Sequence, residues 1–381
     1  MRVRHGHDFR FGPAEFGGAF GDLGVVLPLT LGVVAVGGLA AGPVFLGFGL
    51  FCIATALHYR LPIPVQPMKA VAAVALTGQI APEAVALAGV MIGAVFLVLG
   101  ATGWISRVAR LVPQSVLAGL QLGLGAALAL LSLQLMASSW AVGLTALALC
   151  LAFMRAPEWP GAPLVIAVAA ALAWGLGAPG LAVEPSSWGG LVAPLLPDPA
   201  LWPQALAQMA LPQIALTVTN AIVLTALIAG DYYGERATHV TPRRLSITTG
   251  LANLALSPLG ALPMCHGAGG LAAYRRFGAR TGAATLLLGL AFTALALAPA
   301  GASAALLAAI PLAGLGALLL VAAGELALSR RVFDARPSCW PVIAATAAAT
   351  LAYDPFIGLV VGAGAEAARR ALLRLLARPA S

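Results

Sequence analysis

The chain has 381 residues, of which 61% are hydrophobic and only 9% charged, with a mean hydropathy of +0.96. A water-soluble domain carries roughly 25% charged residues, so composition excludes a water-facing globule and indicates one all-helical membrane domain over 1–381. The net charge of +8 would suit nucleic acid, but the basic residues sit in short clusters between apolar runs, which marks membrane topology instead; the expected surroundings are lipid, with no nucleic-acid partner.

The N-terminal stretch MRVRHGHDFRFGPAEFGG lacks an apolar core and a small-residue cleavage site, so it is not expected to be a cleaved signal, and His5 and His7 belong to its polar tail. Fourteen apolar segments follow, near 16–37, 42–59, 66–79, 82–101, 113–135, 138–154, 162–178, 204–230, 245–259, 266–276, 281–299, 304–328, 340–352 and 354–372. About 20 helical residues cross a bilayer, so the third and tenth are too short to span. Each follows a proline-containing stretch, LPIPVQP or GALPMCH, that ordinary helix cannot accommodate. Each therefore reads as an extended piece followed by a half-helix starting near mid-membrane.

Asp22, in GGAFGDLGVVLP of the first segment, is a carboxylate at membrane depth: a coupling group, a brace for Lys69, or a cap on a break in its own helix. Lys69, in PVQPMKAVAAVAL, is the only lysine. An ammonium there costs about 3 kcal/mol or more unless it meets a partner or a wet cavity, which favours an anion-related role over snorkelling or pairing with Asp22. In the eighth segment, Thr217, Thr219 and Asn220 are polar at membrane depth, and helix–helix hydrogen bonds explain such residues as readily as a ligand does.

The tenth segment opens His266-Gly267-Ala268-Gly269-Gly270, with almost no side-chain bulk. A helix N-terminus presents unpaired N–H groups and about half a positive charge, so two half-helices aimed at one cavity make an anion site. The ligand is expected against the amides of His266 to Gly269, with Gly267 the position where an added side chain would evict it; helix packing is the competing role for these glycines. Glu325 and Asp231 lie near cytoplasmic ends, solvated or paired with arginines, and Glu325 is also a candidate proton site. Cys52, Cys150, Cys265 and Cys339 are far apart and form no CxxC pair, so they read as apolar fillers without disulfide or metal. There is no HExxH, no GxSxG and no clustered ligand set, so neither an enzyme nor a cofactor is expected.

If the N-terminus is cytoplasmic and segments alternate, all twenty arginines fall on the cytoplasmic side, while the long connection 179–203 carries Glu184 and Asp198 and no basic residue. Pro64 precedes Pro113 by 49 residues and Pro263 precedes Pro311 by 48. Seven segments separate the two breaks, an odd number, which predicts a seven-plus-seven inverted repeat whose broken helices meet at a central site.

The stretches GGAFGDLGVVLPL, PIPVQPMKAVAAVAL and PMCHGAGGLAAYRRFGARTG resemble the signature segments of the molybdate transporter family, a branch related to the sulfate permeases. The resemblance covers nearly the whole chain. It implies the fourteen-helix fold of sulfate and uracil permeases, with a substrate-carrying core (14–101 and 204–299) and a gate (102–203 and 300–378). It places Gln66, Met68 and Lys69 in the first motif and His266 to Gly270 in the second. Two positions depart from the family pattern: Val25 stands where threonine is usual, and Ala221 where serine more often follows Asn220. The chain ends shortly after its last segment, so the cytoplasmic regulatory domain of most sulfate permeases is expected to be absent.

The resulting expectation is a secondary transporter for molybdate in a bacterial cell membrane, both termini cytoplasmic, with a homodimer the assembly considered. A sulfate or broad oxyanion transporter, an anion channel and a non-transporting sensor are the alternatives. Single cysteines at Ser187 and Ser329, in a cysteine-free background, are expected to label from opposite sides, Ser329 from the cytoplasm. Labelling from one side would break the topology.

Overall fold

Apolar runs become helices throughout the computed structural model, which describes residues 9–77, 80–108, 113–155, 161–181 and 198–376. The first segment is split at Asp22 into α1 (Pro13–Gly21) and α2 (Leu23–Ala35). α3 (Ala41–Tyr59) follows and ends at Arg60, whose φ of 51° turns the chain out of the helix. The LPIPVQP stretch then runs into a two-residue strand, β1 (Gln66–Pro67), and the half-helix α4 (Lys69–Thr77) begins directly after it. Next come α5 (Pro82–Thr102), the short α6 (Ile105–Val108), α7 (Gln114–Met136), α8 (Trp140–Arg155) and α9 (Gly161–Leu176).

The eighth segment is a run of α10 (Trp202–Gln204), α11 (Leu211–Leu216) and α12 (Thr225–Tyr233), joined by π-helical stretches at Ala205–Ala210 and Thr217–Leu224. After α13 (Pro242–Leu256) the second strand, β2 (Met264–Cys265), leads into the second half-helix, α14 (Ala268–Arg276). The chain closes with α15 (Ala283–Leu297), α16 (Ala300–Ala308), α17 (Leu312–Ala327), α18 (Arg330–Phe333), α19 (Trp340–Ala352) and α20 (Pro355–Leu376). This is a mostly helical membrane-protein fold.

Each predicted segment contains helix, and a second one, besides the first with its split at Asp22, is interrupted. Within 304–328 the chain breaks before Pro311, which disfavours helix at Ile310 and lacks an N–H of its own; α16 is bent 113° from α15 and α17 starts afresh. Among the described residues five helices are long and apolar enough to cross a membrane alone, or six if the bent α15–α16 pair counts as one span. Pro113 and Pro311 each occupy the position just before a helix, α7 and α17.

The two strands pair antiparallel, Gln66 opposite Cys265 and Pro67 opposite Met264. The Met68 N–H extends the ladder by donating to the Pro263 carbonyl at 2.9 Å. Around it, side chains serve backbone groups that the ladder leaves over. The fully buried Asn253 of α13 donates to the Met264 carbonyl at 2.7 Å and accepts from the Met264 N–H at 2.9 Å. Thr285 of α15 donates to the Ile63 carbonyl at 3.0 Å. Glu15 of α1 accepts from the N–H groups of Arg280 and Thr281, both at 2.8 Å, and so ties the first helix to the entry of α15.

Helices cross closely where glycines meet. A Cβ at Gly289 in α15 would lie 2.9 Å from the Gly49 carbonyl of α3, and one at Gly250 in α13 would lie 2.9 Å from the Gly93 carbonyl of α5. Small residues let backbones approach without a hydrophobic driving force, as bilayer packing requires. α7 packs against α17 and α19, and α8 against α9 and α17.

Asn253→Leu keeps the volume but strands both polar groups of Met264. Each buried group left unpaired costs about 1–3 kcal/mol, so a clear drop in the melting temperature of the detergent-purified protein is expected. An unchanged melting curve would show that Asn253 does not hold β2.

Candidate functional site

Both half-helices start at the strand pair, and a cavity of about 350 Å³ opens where they start. Gln66, Pro67 and Lys69 border it from the first half-helix, and Cys265 to Gly269 from the second. Gln213, Thr217, Ala221 and Leu224, recurring at helical spacing in the eighth segment, present one face to it. Gln121 of α7, Leu326 of α17, Ser329 and Arg331 close the remaining side.

The half-helices offer different ends. α14 has Gly267 as its N-cap with no side-chain cap, and the amides of Ala268, Gly269 and Gly270 have no partner among the described residues. α4 is already capped. Gln213 of α11 places Oε1 2.8 Å from the Ala70 nitrogen and 3.4 Å from that of Val71, and donates its own Nε2 to Thr217 Oγ1 at 2.7 Å. A protein oxygen thus occupies the N-terminus of the first half-helix, while that of the second has no such partner among the described residues.

Lys69 is half-buried at the cavity wall and has no hydrogen-bond or ion-pair partner within reach among the described residues. The carboxylates of Asp22 and Glu325 lie within its coulombic range without direct contact. Asp22 sits at the α1–α2 break but makes no side-chain cap there; it accepts from Gln66 Nε2 at 2.6 Å instead. It therefore braces the strand that precedes Lys69.

Other sequence-predicted residues are placed as follows. Met68 is fully buried and is not among the residues bordering the cavity; its backbone serves the strand ladder. The imidazole of His266 is buried and doubly engaged: Nδ1 donates to the Pro64 carbonyl at 3.1 Å, leaving Nε2 to accept from Thr248 Oγ1 at 2.9 Å. Its ring packs on Phe51 and Tyr59, with centroids 5.2 and 5.7 Å away. Asn220 falls in the π-helical stretch, and its side chain lies outside the described residues.

The two glycines are not equivalent. A Cβ on Gly267 would collide with the Gln66 amide, whereas one on Gly269 meets nothing within 4 Å. Gly267 borders the cavity while packing on Gln66, and Gly269 faces open space. Gln213, Gln121 and Arg331 escaped sequence reasoning. The available signal was an amide four residues ahead of Thr217 in LPQIALT, but which way it faces depends on the rotation of the helix.

Taken together, the cavity is bordered by the amides of Ala268 and Gly269 at a helix N-terminus and by the Lys69 ammonium, none with a partner among the described residues, and by the Arg331 guanidinium. Helix termini and cations favour negative charge, so the arrangement suits a small anion. Among the described residues no group of His, Cys, Asp and Glu could hold a metal.

The sequence matches the family described as molybdate transporter of the MFS superfamily, over residues 14–128 and 205–326. It is 29% identical to molybdate transporter 1 of Arabidopsis thaliana, over 93% of this chain and 87% of that protein. It is 30% identical to molybdate transporter 1 of Chlamydomonas reinhardtii, over 93% of this chain and 91% of that protein. In structure it resembles the transmembrane domain of the cyanobacterial bicarbonate transporter BicA, with a TM-score of 0.70 at 15% identity, covering 93% of this chain and 98% of that one. It also resembles the murine solute carrier 26 family member A9 anion transporter in the inward-facing state, with a TM-score of 0.69 at 14% identity, covering 97% and 69%.

Gly267→Ala is expected to lower the melting temperature of the detergent-purified protein, because the new methyl displaces Gln66. Gly269→Ala should leave it unchanged or slightly raised, since alanine favours helix over glycine by up to about 1 kcal/mol. The reverse order would mean that Gln66 does not pack on Gly267.

Proposed function

The chain belongs to the molybdate transporter family, and on that premise we propose that it is a secondary transporter carrying molybdate across a membrane, not an enzyme. The observation that carries this reading is the convergence in one cavity of Lys69 with the open N-terminus of α14. Amides aimed from a helix end hold oxyanion oxygens by geometry, and the ammonium adds charge without demanding a particular direction.

In this reading the substrate sits at Gly269 and Ala268 beside Lys69, with Gln213 and Thr217 above it. Arg331 adds charge from the far wall. Ala221 borders the cavity, so the hydroxyl that the family more often carries there is missing at the site itself. The same partners would hold sulfate, which makes a broader oxyanion carrier the second reading.

Alternating access would come from movement of the core against the gate. The packing of α3 on α15 and α5 on α13, apart from that of α7 on α17 and α19, supports two such bodies. The antiparallel strand pair and the matching proline spacings support fourteen segments arranged as a seven-plus-seven inverted repeat. The arginine distribution supports cytoplasmic termini, and a homodimer in a bacterial cell membrane is the setting this reading adopts.

Labelled molybdate uptake into proteoliposomes, with sulfate as competitor and across imposed pH gradients, tests the proposal. Saturable uptake that accelerates in counterflow is expected; flux without counterflow would indicate a channel. Lys69→Met should weaken affinity about tenfold or more, since a charge-assisted contact contributes roughly 1.5–3 kcal/mol. Gln213→Glu keeps an oxygen on the Ala70 amide, so the cap persists, but it adds a negative charge to the cavity; a folded protein without uptake is expected. Unimpaired uptake in both variants would return both residues to structural roles.

A further inference from the structure

A second cavity, of about 500 Å³, lies beside the start of α7. Arg331, Arg336, Arg369 and Arg370 border it together with Asp334 and Glu366, an excess of two positive charges. Topology alone accounts for arginines on this face of the protein, but topology does not require them to enclose a cavity. Arg331 borders both this cavity and the central one. Its Nε donates to Gln114 Oε1 of α7 at 2.6 Å, and nearby Ser329 donates to Gln121 Oε1 at 2.9 Å. The segment from Ser329 to Arg331 therefore partitions the two spaces, with a guanidinium in the partition.

The rest of the cluster is built rather than scattered. Glu366, 3% exposed, accepts from Ser115 Oγ at 3.0 Å, from Arg369 at 2.8 and 2.9 Å and from Arg370 Nε at 2.7 Å. Arg369 also donates to Ser338 at 3.0 Å. This network fixes the cavity wall and leaves Arg336, which is exposed and has no partner among the described residues, facing the space.

We propose that this cavity is a second, weaker oxyanion site that takes a tetrahedral dianion and exchanges it with the central cavity past Arg331. The proposal rests on the transport reading above. An arginine fork matches the paired oxygens of such an anion, and an excess of two charges matches a dianion. The arrangement raises the local anion concentration at the mouth of the central site, an electrostatic effect that weakens with salt. A lipid phosphate has the same chemistry, so the test separates the two sources.

Equilibrium binding of radiolabelled molybdate to the purified full chain in neutral detergent should show two sites, the weaker lost as salt rises. Arg336→Gln, and independently Arg370→Gln, should weaken the second site severalfold while leaving the first unchanged; Lys69→Met should do the reverse. In nanodiscs, the second site should persist with phosphatidylcholine and with phosphatidylglycerol alike. Displacement by phosphatidylglycerol alone would assign the cavity to lipid headgroups and overturn the exchange role. A single site in the wild type, indifferent to both arginine substitutions, would also overturn the proposal while leaving the central site standing. No molybdate binding at all would sink the transport reading itself.

Discussion

Backbone polar groups in the middle of a bilayer have no water to turn to, so any non-helical stretch there must be satisfied by protein. This chain carries two such stretches, each forced by prolines, and the structure solves both at one place. Two residues of each pair with the other, and Asn253, Thr285 and Met68 account for further groups at the edges. Once the stretches are joined, both half-helices must start from the same point, and a cavity at their ends follows. Asp22, through Gln66, then fixes the strand that leads to Lys69.

The arrangement makes the two helix ends unequal. A glutamine oxygen at the first end meets the Ala70 and Val71 amides with a neutral dipole, while the amides of the second have no partner among the described residues. A site with both ends open would leave more buried donors unpaired when empty, each at about 1–3 kcal/mol. With one end capped, the empty state is less costly. Charge comes from Lys69 and Arg331, which both border the cavity.

Much of this was legible in the sequence because the relevant residues have few alternatives. Prolines at 62, 64 and 67, closely spaced, and Pro263 strongly disfavour helix, although a single Pro28 is accommodated inside α2, and a lone lysine in an apolar run calls for something polar. The half-helices and their location therefore follow from residue type. What stayed hidden depends on relative orientation. Gln213 and Asn253 are ordinary amides until the rotation of their helices aims them at a particular backbone group. Gly267 and Gly269 are indistinguishable as letters, yet one packs on Gln66 and the other faces open space. His266 looks like a ligand by position, but its ring is turned into a hydrogen-bonded aromatic nest of Phe51, Tyr59 and Thr248. In the sequence Pro311 stands out only by its spacing from Pro263, although the same residue chemistry interrupts the segment there.

The strand pair also bears on how the protein is made. Gln66 and Cys265 are 199 positions apart, so the first half-helix emerges from the ribosome long before its partner exists. During that interval the extended stretch before Lys69 lacks its ladder, and contacts between residues so distant in sequence form late. The first half must wait in an immature state, with Gln66 and Lys69 shielded by insertion machinery or by water. The final locking step comes only when the second half has entered the membrane. Substitutions in β1 and β2 therefore bear on assembly as well as on equilibrium stability, because the half-formed state exposes an unpaired stretch.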